Sequence, residues 1–257
     1  MDRQRERREA GQLQTVARAV LRPLVRLGWR VDVRGLEHVP RRGPAILCPN
    51  HISVLDSFFV PAVLSRRITY VGKAEYLDDW KTRWLFPALG MIPIDRAGGD
   101  AALAALEVAA RVLGRGELFG IYPEGTRSRD GLLHKGRTGA ARLALRTGVP
   151  IIPVGICGTD VILPPDRRLP RPLRRASIAF GAPIDPAHYD GRHDQRLVLR
   201  QITDEVMFEI RTLSGQTYVN TYGSSGVPRG PSVPMPDEFP TATTVSSELL
   251  SMTPFGC

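Results

Sequence analysis

Short apolar runs alternate with segments of helical period along most of this chain. The runs Arg30 to Val33, Ala45 to Cys48, Ile68 to Val71, Met91 to Ile94, Leu118 to Tyr122, Ile151 to Val154 and Ser177 to Phe180 have the length of strands. Between them, residues 101–113 read as a helix with Asp100 as N-cap and Gly114 past its end. Residues 138–147 read as another, closed by Gly148, and Gln195 to Leu213 as a third that carries Leu199, Ile202, Val206, Phe208 and Ile210. This alternation predicts an α/β fold: a single domain with a central, mostly parallel or mixed sheet and helices on both faces.

Ahead of the first strand, Leu13, Val16, Ala17, Val20, Leu21 and Leu24 fall at helical spacing, with Arg18, Arg22 and Arg26 on the other side. Residues 1–29 are therefore expected to form a basic amphipathic helix, bent or ended at Pro23. Two placements fit it. It lies in the headgroup region of an anionic membrane, or it packs its apolar stripe on the protein's own sheet with solvated arginines. Beyond Ser214, Gly, Ser, Thr and Pro dominate and no apolar period survives, so residues 215–257 read as a disordered tail and 30–214 as the domain. No stretch approaches the roughly 18 uninterrupted apolar residues of a transmembrane helix.

Charge narrows the partners. The formal net charge is +9, and residues 223–257 hold Arg229 against Asp237, Glu238 and Glu248, or −2, which leaves +11 on residues 1–222. Such a field attracts phosphate, whether on nucleic acid, a lipid surface or a metabolite. No recognised nucleic-acid motif accompanies it, so no nucleic-acid partner is expected. His188 and His193 sit in a polar stretch without a third ligand, and Arg167, Arg168, Arg171, Arg174 and Arg175 form a basic loop. Cys48, Cys157 and Cys257 show neither pairing nor metal-ligand spacing, and no secretory signal pattern is present. A reducing, cytoplasmic setting is expected.

Two polar knots end apolar runs. In Asn50-His51-Ile52-Ser53-Val54-Leu55-Asp56, a side chain that exchanges protons near neutral pH stands five positions from a carboxylate able to fix its tautomer. On one continuous helix these two would point about 140° apart and never meet. A strand through Cys48, a turn at Pro49 and Asn50, and a helix starting near Ser53 would bring them together, with Ser53 and Asp56 as a variant capping box. Taken alone, the pair also fits a buried histidine merely satisfied by a carboxylate. The second knot, Tyr122-Pro123-Glu124-Gly125-Thr126-Arg127-Ser128, supplies a guanidinium suited to gripping phosphate with two parallel hydrogen bonds.

Four segments in order and spacing resemble the blocks of the PlsC-type glycerophospholipid acyltransferases. They are Asn50-His51-x-Ser53-x-x-Asp56, Gly90-Met91-Ile92-Pro93-Ile94-Asp95-Arg96, Tyr122 through Ser128, and Val149-Pro150-Ile151-Ile152-Pro153-Val154. The resemblance spans roughly residues 30–185. It implies transfer of a fatty acyl group from an acyl-CoA or acyl carrier protein thioester to the free hydroxyl of 1-acylglycerol 3-phosphate, making phosphatidic acid. A different lysophospholipid or glycolipid acceptor, or a non-catalytic lipid-binding protein, are the alternatives. The implied setting is peripheral, on the cytoplasmic face of the membrane.

Chemistry and resemblance agree on roles. His51 is the expected base for the lipid hydroxyl, since a neutral imidazole of reference pKa about 6.5 suits that task, and Asp56 would hold its acceptor tautomer. The leaving thiol has a reference pKa near 8.5 and departs without a metal ion, so no metal and no bound cofactor are expected. The resemblance implies that Lys73, Arg96, Glu124, Gly125, Thr126 and Arg127 bind the acceptor's glycerophosphate. Arg96 also fits a structural pair with Asp95, and Glu124 is expected to orient rather than catalyse, because a carboxylate repels phosphate. Tyr122 stands where phenylalanine is commoner in the family.

Overall fold

A computed structural model describes residues 2–73, 90–94, 101–165, 167, 169–189 and 195–223, and among these described residues there are nine strands. They are β1 (Arg30–Arg34), β2 (Ala45–Pro49), β3 (Ile68–Lys73), β4 (Met91–Ile94), β5 (Leu118–Gly120), β6 (Leu133–His134), β7 (Ile151–Cys157), β8 (Arg175–Phe180) and β9 (Tyr218–Val219). Arg96, the Asp100 cap, Arg168, His193, Cys257 and the tail from residue 224 lie outside the described residues.

Seven of the strands make one sheet in the order β1-β8-β7-β2-β5-β3-β4. All neighbours run parallel except β7 and β8, so β8 and β1 form a reversed edge on five parallel strands. Central β2 is buried at every position, as an apolar run without alternation requires of a strand covered on both faces. Its residues divide between two cores. Ala45 and Leu47 face a cluster with Val25 of α1 (Asp2–Gly28) and Phe59 of α2 (Asp56–Val63). Ile46 and Cys48 face the other, with Val112 of α3 (Ala101–Leu113), Leu143 of α4 (Gly139–Thr147) and, beyond the short α5 (Thr159–Ile162), Ile202 of α6 (Gln195–Ser214). Each fully buried side chain of this size contributes roughly 1.5–3 kcal/mol. The expected α/β sheet with helices on both faces is the one observed.

The differences have local causes. α2 begins at Asp56 rather than near Ser53, because the Asp56 carboxylate gathers the N–H groups of Ile52 and Ser53 and winds residues 52–55 into a turn around itself. β7 runs on to Cys157 because it pairs antiparallel with β8 through Cys157 and Ser177, while on its other side the Asn50 side chain accepts from the Ile156 N–H at 2.7 Å and donates to its carbonyl at 2.8 Å. Order also continues past Ser214, against the expectation of a tail disordered from 215. β9 pairs with β6, and the Gln216 side chain donates to the Gly131 carbonyl at 2.8 Å, so specific hydrogen bonds replace the missing apolar period.

The N-terminal helix forms with Pro23 inside it, but two of its arginines are not free for lipid. Arg18 bonds the Pro61 and Leu64 carbonyls, and Arg22 those of Ala62 and Leu64. These are the unpaired acceptors at the end of α2, where a helix presents partial negative charge. Burial, then the neighbouring Arg22 and Arg67, lower the Arg18 pKa. No helix among the described residues is long and apolar enough to cross a membrane.

Candidate active site

The five parallel strands bring their carboxyl ends to one edge, the place where open α/β sheets hold ligands. β2 leads into Asn50 and His51, β5 into the loop 121–128 and β7 into Thr159, while β3 ends on Lys73. Asn50 is fully buried and also donates to the Gln216 side chain at 2.7 Å, which anchors the turn that presents His51.

His51 and Asp56 meet. The ring Nδ1 lies 2.9 Å from Asp56 Oδ2, and the same oxygen accepts the Ile52 and Ser53 N–H groups at 2.9 Å each. The other oxygen accepts the Thr159 hydroxyl at 2.5 Å. Asp56 has no exposed surface, and four donors compensate a carboxylate that would otherwise be costly to bury. With Asp56 as acceptor, Nδ1 carries the ring proton and Nε2 keeps its lone pair.

Aromatic rings fix the imidazole plane. Tyr122 stacks on His51 with centroids 3.8 Å apart, and Tyr70 lies behind Tyr122 at 5.7 Å. A Cβ at position 120 would stand 2.1 Å from the Tyr70 ring, so glycine is needed there for the stack to close. Burial pushes both phenols well above their ordinary range, which removes them from proton exchange near neutral pH. The Tyr122 hydroxyl, absent from the commoner phenylalanine, bonds Ser57 Oγ at 3.0 Å.

The loop after β5 turns sharply at Gly125, whose φ of 73° is the left-handed conformation that favours glycine. Its N–H donates to the Tyr122 carbonyl, and the Ser128 N–H to the His51 carbonyl at 2.7 Å. Glu124 is buried inside this turn. One carboxylate oxygen accepts the His51 N–H and the other the His134 N–H, both at 3.0 Å. Burial pushes its carboxyl up to about 7, against the pull of those two donors. Both oxygens thus accept from the main chain, and Glu124 ties the two loops together.

Gly125 is exposed, and Thr126 and Arg127 are half-buried on the same loop. Among the described residues Arg127 has neither an ion pair nor a hydrogen-bonded acceptor. Lys73 reaches the edge by its main chain, paired in register with Ile94. The structure therefore unites His51, Asp56 and the Glu124–Arg127 loop, with Lys73 on the strand next to β5.

Several residues escaped the sequence reading. Thr159 stands just past an apolar run, Gln216 lies in the expected tail, and Asp130 and His134 belong to no motif or periodic segment. Asp130 bonds His134 Nε2, Ser128 Oγ and the Leu132 N–H. Burial pushes its carboxyl up, but these bonds together bring it below its ordinary value. The His134 Nδ1 is buried with no partner among the described residues.

Comparison with known proteins places this arrangement. The family described as Acyltransferase matches residues 30–157. The chain is 32% identical to the 1-acyl-sn-glycerol-3-phosphate acyltransferase alpha of Mus musculus over 190 residues, covering 69% of this chain and 66% of that protein. It is 29% identical to the chloroplastic 1-acyl-sn-glycerol-3-phosphate acyltransferase BAT2 of Brassica napus, covering 53% of this chain and 40% of that one. The chain thus spans less than two thirds of the length of these relatives. The crystal structure of the 1-acyl-sn-glycerophosphate acyltransferase PlsC from Thermotoga maritima shares the fold, with a TM-score of 0.59, 24% identity and 79% of each chain covered. With the segments 50–56 and 122–128 at the carboxyl ends of β2 and β5 in such a sheet, the chain is similar to acyltransferases of the PlsC type.

Proposed function

We propose that this protein transfers a fatty acyl group from a thioester, on coenzyme A or acyl carrier protein, to the free hydroxyl of 1-acylglycerol 3-phosphate, making phosphatidic acid. The observation that carries the reading is the His51–Asp56 contact at 2.9 Å, which leaves Nε2 as the proton acceptor beside a loop with an unpaired arginine. The printed names of the relatives supply the substrate class.

In this reading the acceptor hydroxyl gives its proton to His51 Nε2 as its oxygen attacks the thioester carbon. Asp56 stabilises the imidazolium without taking the proton. The tetrahedral intermediate collapses, the C–S bond breaks, and the imidazolium returns a proton to the departing sulfur. Arg127, with Lys73, Arg96 and Thr126, holds the phosphate, and Glu124 positions the His51 main chain. Orientation of the hydroxyl about 3–3.5 Å from the carbon contributes several kcal/mol beyond the proton transfer. Purified protein assayed with lysophosphatidic acid, other lysolipids and glycolipids against both thioester donors tests this. Phosphatidic acid formation dominating the products supports the reading, and no transfer to lysophosphatidic acid from either donor rejects it.

We also propose peripheral attachment to an anionic, cytoplasm-facing membrane surface. Val16, Val20, Leu24 and Leu27 stand on one stripe of α1 and are 60%, 56%, 56% and 80% exposed, away from the arginines that hold the helix down. Leu169 and Leu173, 78% and 72% exposed among arginines, sit on a loop tied to the end of α1 by the Leu173 N–H to Gly28 and the Trp29 indole to Arg171. Apolar side chains flanked by cations suit the headgroup boundary. Replacing the four α1 side chains by serine should abolish flotation with anionic vesicles while leaving the α2 contacts intact. Undiminished flotation removes the helix from the account.

A further inference from the structure

The segment after the Glu-Gly-Thr-Arg turn spends its acids internally and leaves its cations open. Glu124 gives both oxygens to main-chain N–H groups, and Asp130 is held by Ser128, His134 and Leu132. Among the described residues neither Lys135 nor Arg137 has an ion pair. Yet the two converge on one ring. Lys135 Nζ lies 5.6 Å and the Arg137 guanidinium carbon 5.2 Å from the centroid of Tyr222, which the β9 segment carries back to this place. Two like charges gathered at one aromatic side chain repel each other, and exposed cation–π contacts offset only part of that. An anion bound between them would offset far more.

This patch is continuous with the turn that bears Arg127. The Arg137 N–H donates to the Pro123 carbonyl at 2.7 Å, and a Cβ on Gly125 would stand 2.8 Å from Arg137 Nε. On the other side, a Cβ on Gly223 would stand 3.1 Å from the Thr126 methyl. The Lys135 N–H donates to the Thr221 carbonyl at 2.9 Å, so the main chain holds the cation and the ring-bearing segment together.

We infer that Lys135, Arg137 and Tyr222 form a further phosphate-binding subsite beside the turn, taking a phosphate group carried by one of the reactants. The word reactant rests on the acyl-transfer reading, whereas the phosphate chemistry does not. Two sources share that chemistry, the glycerophosphate head of the acceptor and the bisphosphorylated nucleoside of a coenzyme A donor.

Calorimetric titration of the intact protein with glycerol 3-phosphate and, separately, adenosine 3′,5′-bisphosphate distinguishes them. The wild type should bind at least one probe, and the double variant Lys135→Ala, Arg137→Ala should bind it roughly tenfold or more weakly at unchanged melting temperature. Tyr222→Ala should lose a smaller factor, and Arg137→Lys should retain most of the affinity. The probe whose binding is lost names the source. Binding of neither probe by the wild type, or of both with full affinity by the double variant, overturns the subsite. Loss of probe binding in a protein that makes no phosphatidic acid would leave the subsite standing while rejecting the acyl-transfer reading.

Discussion

The β2–α2 junction and the loop after β5 meet at His51, and they treat charge in opposite ways. At the junction every polar atom that steers the histidine is committed: Asp56 accepts four hydrogen bonds, and Asn50 is bound to Ile156 and Gln216. In the loop the acids are committed but the cations are not, since Glu124 and Asp130 serve the main chain and His134 while Arg127, Lys135 and Arg137 have no ion pair among the described residues. The difference separates two tasks. A base must be held in one tautomer before substrate arrives, whereas a phosphate site must leave its donors unsatisfied until it does.

Breaking the committed side should cost most. Asp56→Asn removes acceptor capacity from a site with four donors and misorients the ring, so kcat should fall on the order of a thousandfold with near-native circular dichroism. A loss of only a few-fold would mean that Asp56 merely satisfies a buried histidine. Arg127→Ala attacks the open side and should raise the acceptor KM by about 10- to 100-fold, the worth of a charge-assisted bond, with kcat nearly kept. An equal effect on a neutral monoacylglycerol acceptor would remove phosphate from its role.

Glu124 joins the two regions and offers a pH test. Its carboxyl is raised from 4.5 to about 7, so between those values the folded state binds more protons than the unfolded one and stability falls as pH rises. The stability of the wild type relative to Glu124→Gln should therefore shrink across that window by up to about 3 kcal/mol and stay level above it. A constant difference would show that Glu124 titrates alike in both states. Tyr122→Phe should be mildest, losing the Ser57 hydrogen bond for about 0.5–1.5 kcal/mol while the stack on His51 and kcat persist. A collapse of kcat would show that the hydroxyl, and not the ring, holds the imidazole.

Much of this was legible in the residues. Runs such as Ala45 to Cys48 announced buried strands, and Gly148 closed α4 as expected, because local pattern alone decides such features. The His51–Asp56 contact was legible from the impossibility of the helical alternative. Thr159 and Gln216 were not, since they reach the site from residues separated by 103 and 166 positions through single hydrogen bonds, and pairing of that kind leaves no periodic trace. Nor was the inward turn of Arg18 and Arg22, because a basic stripe looks alike whether it faces lipid phosphates or the carbonyls of a neighbouring helix end.

The most direct test measures acceptor binding and acyl transfer together in His51→Ala. Phosphatidic acid formation lowered by at least about a thousandfold, with lysophosphatidic acid bound as tightly as by the wild type, is the result this mechanism requires. Turnover near the wild-type rate would contradict it.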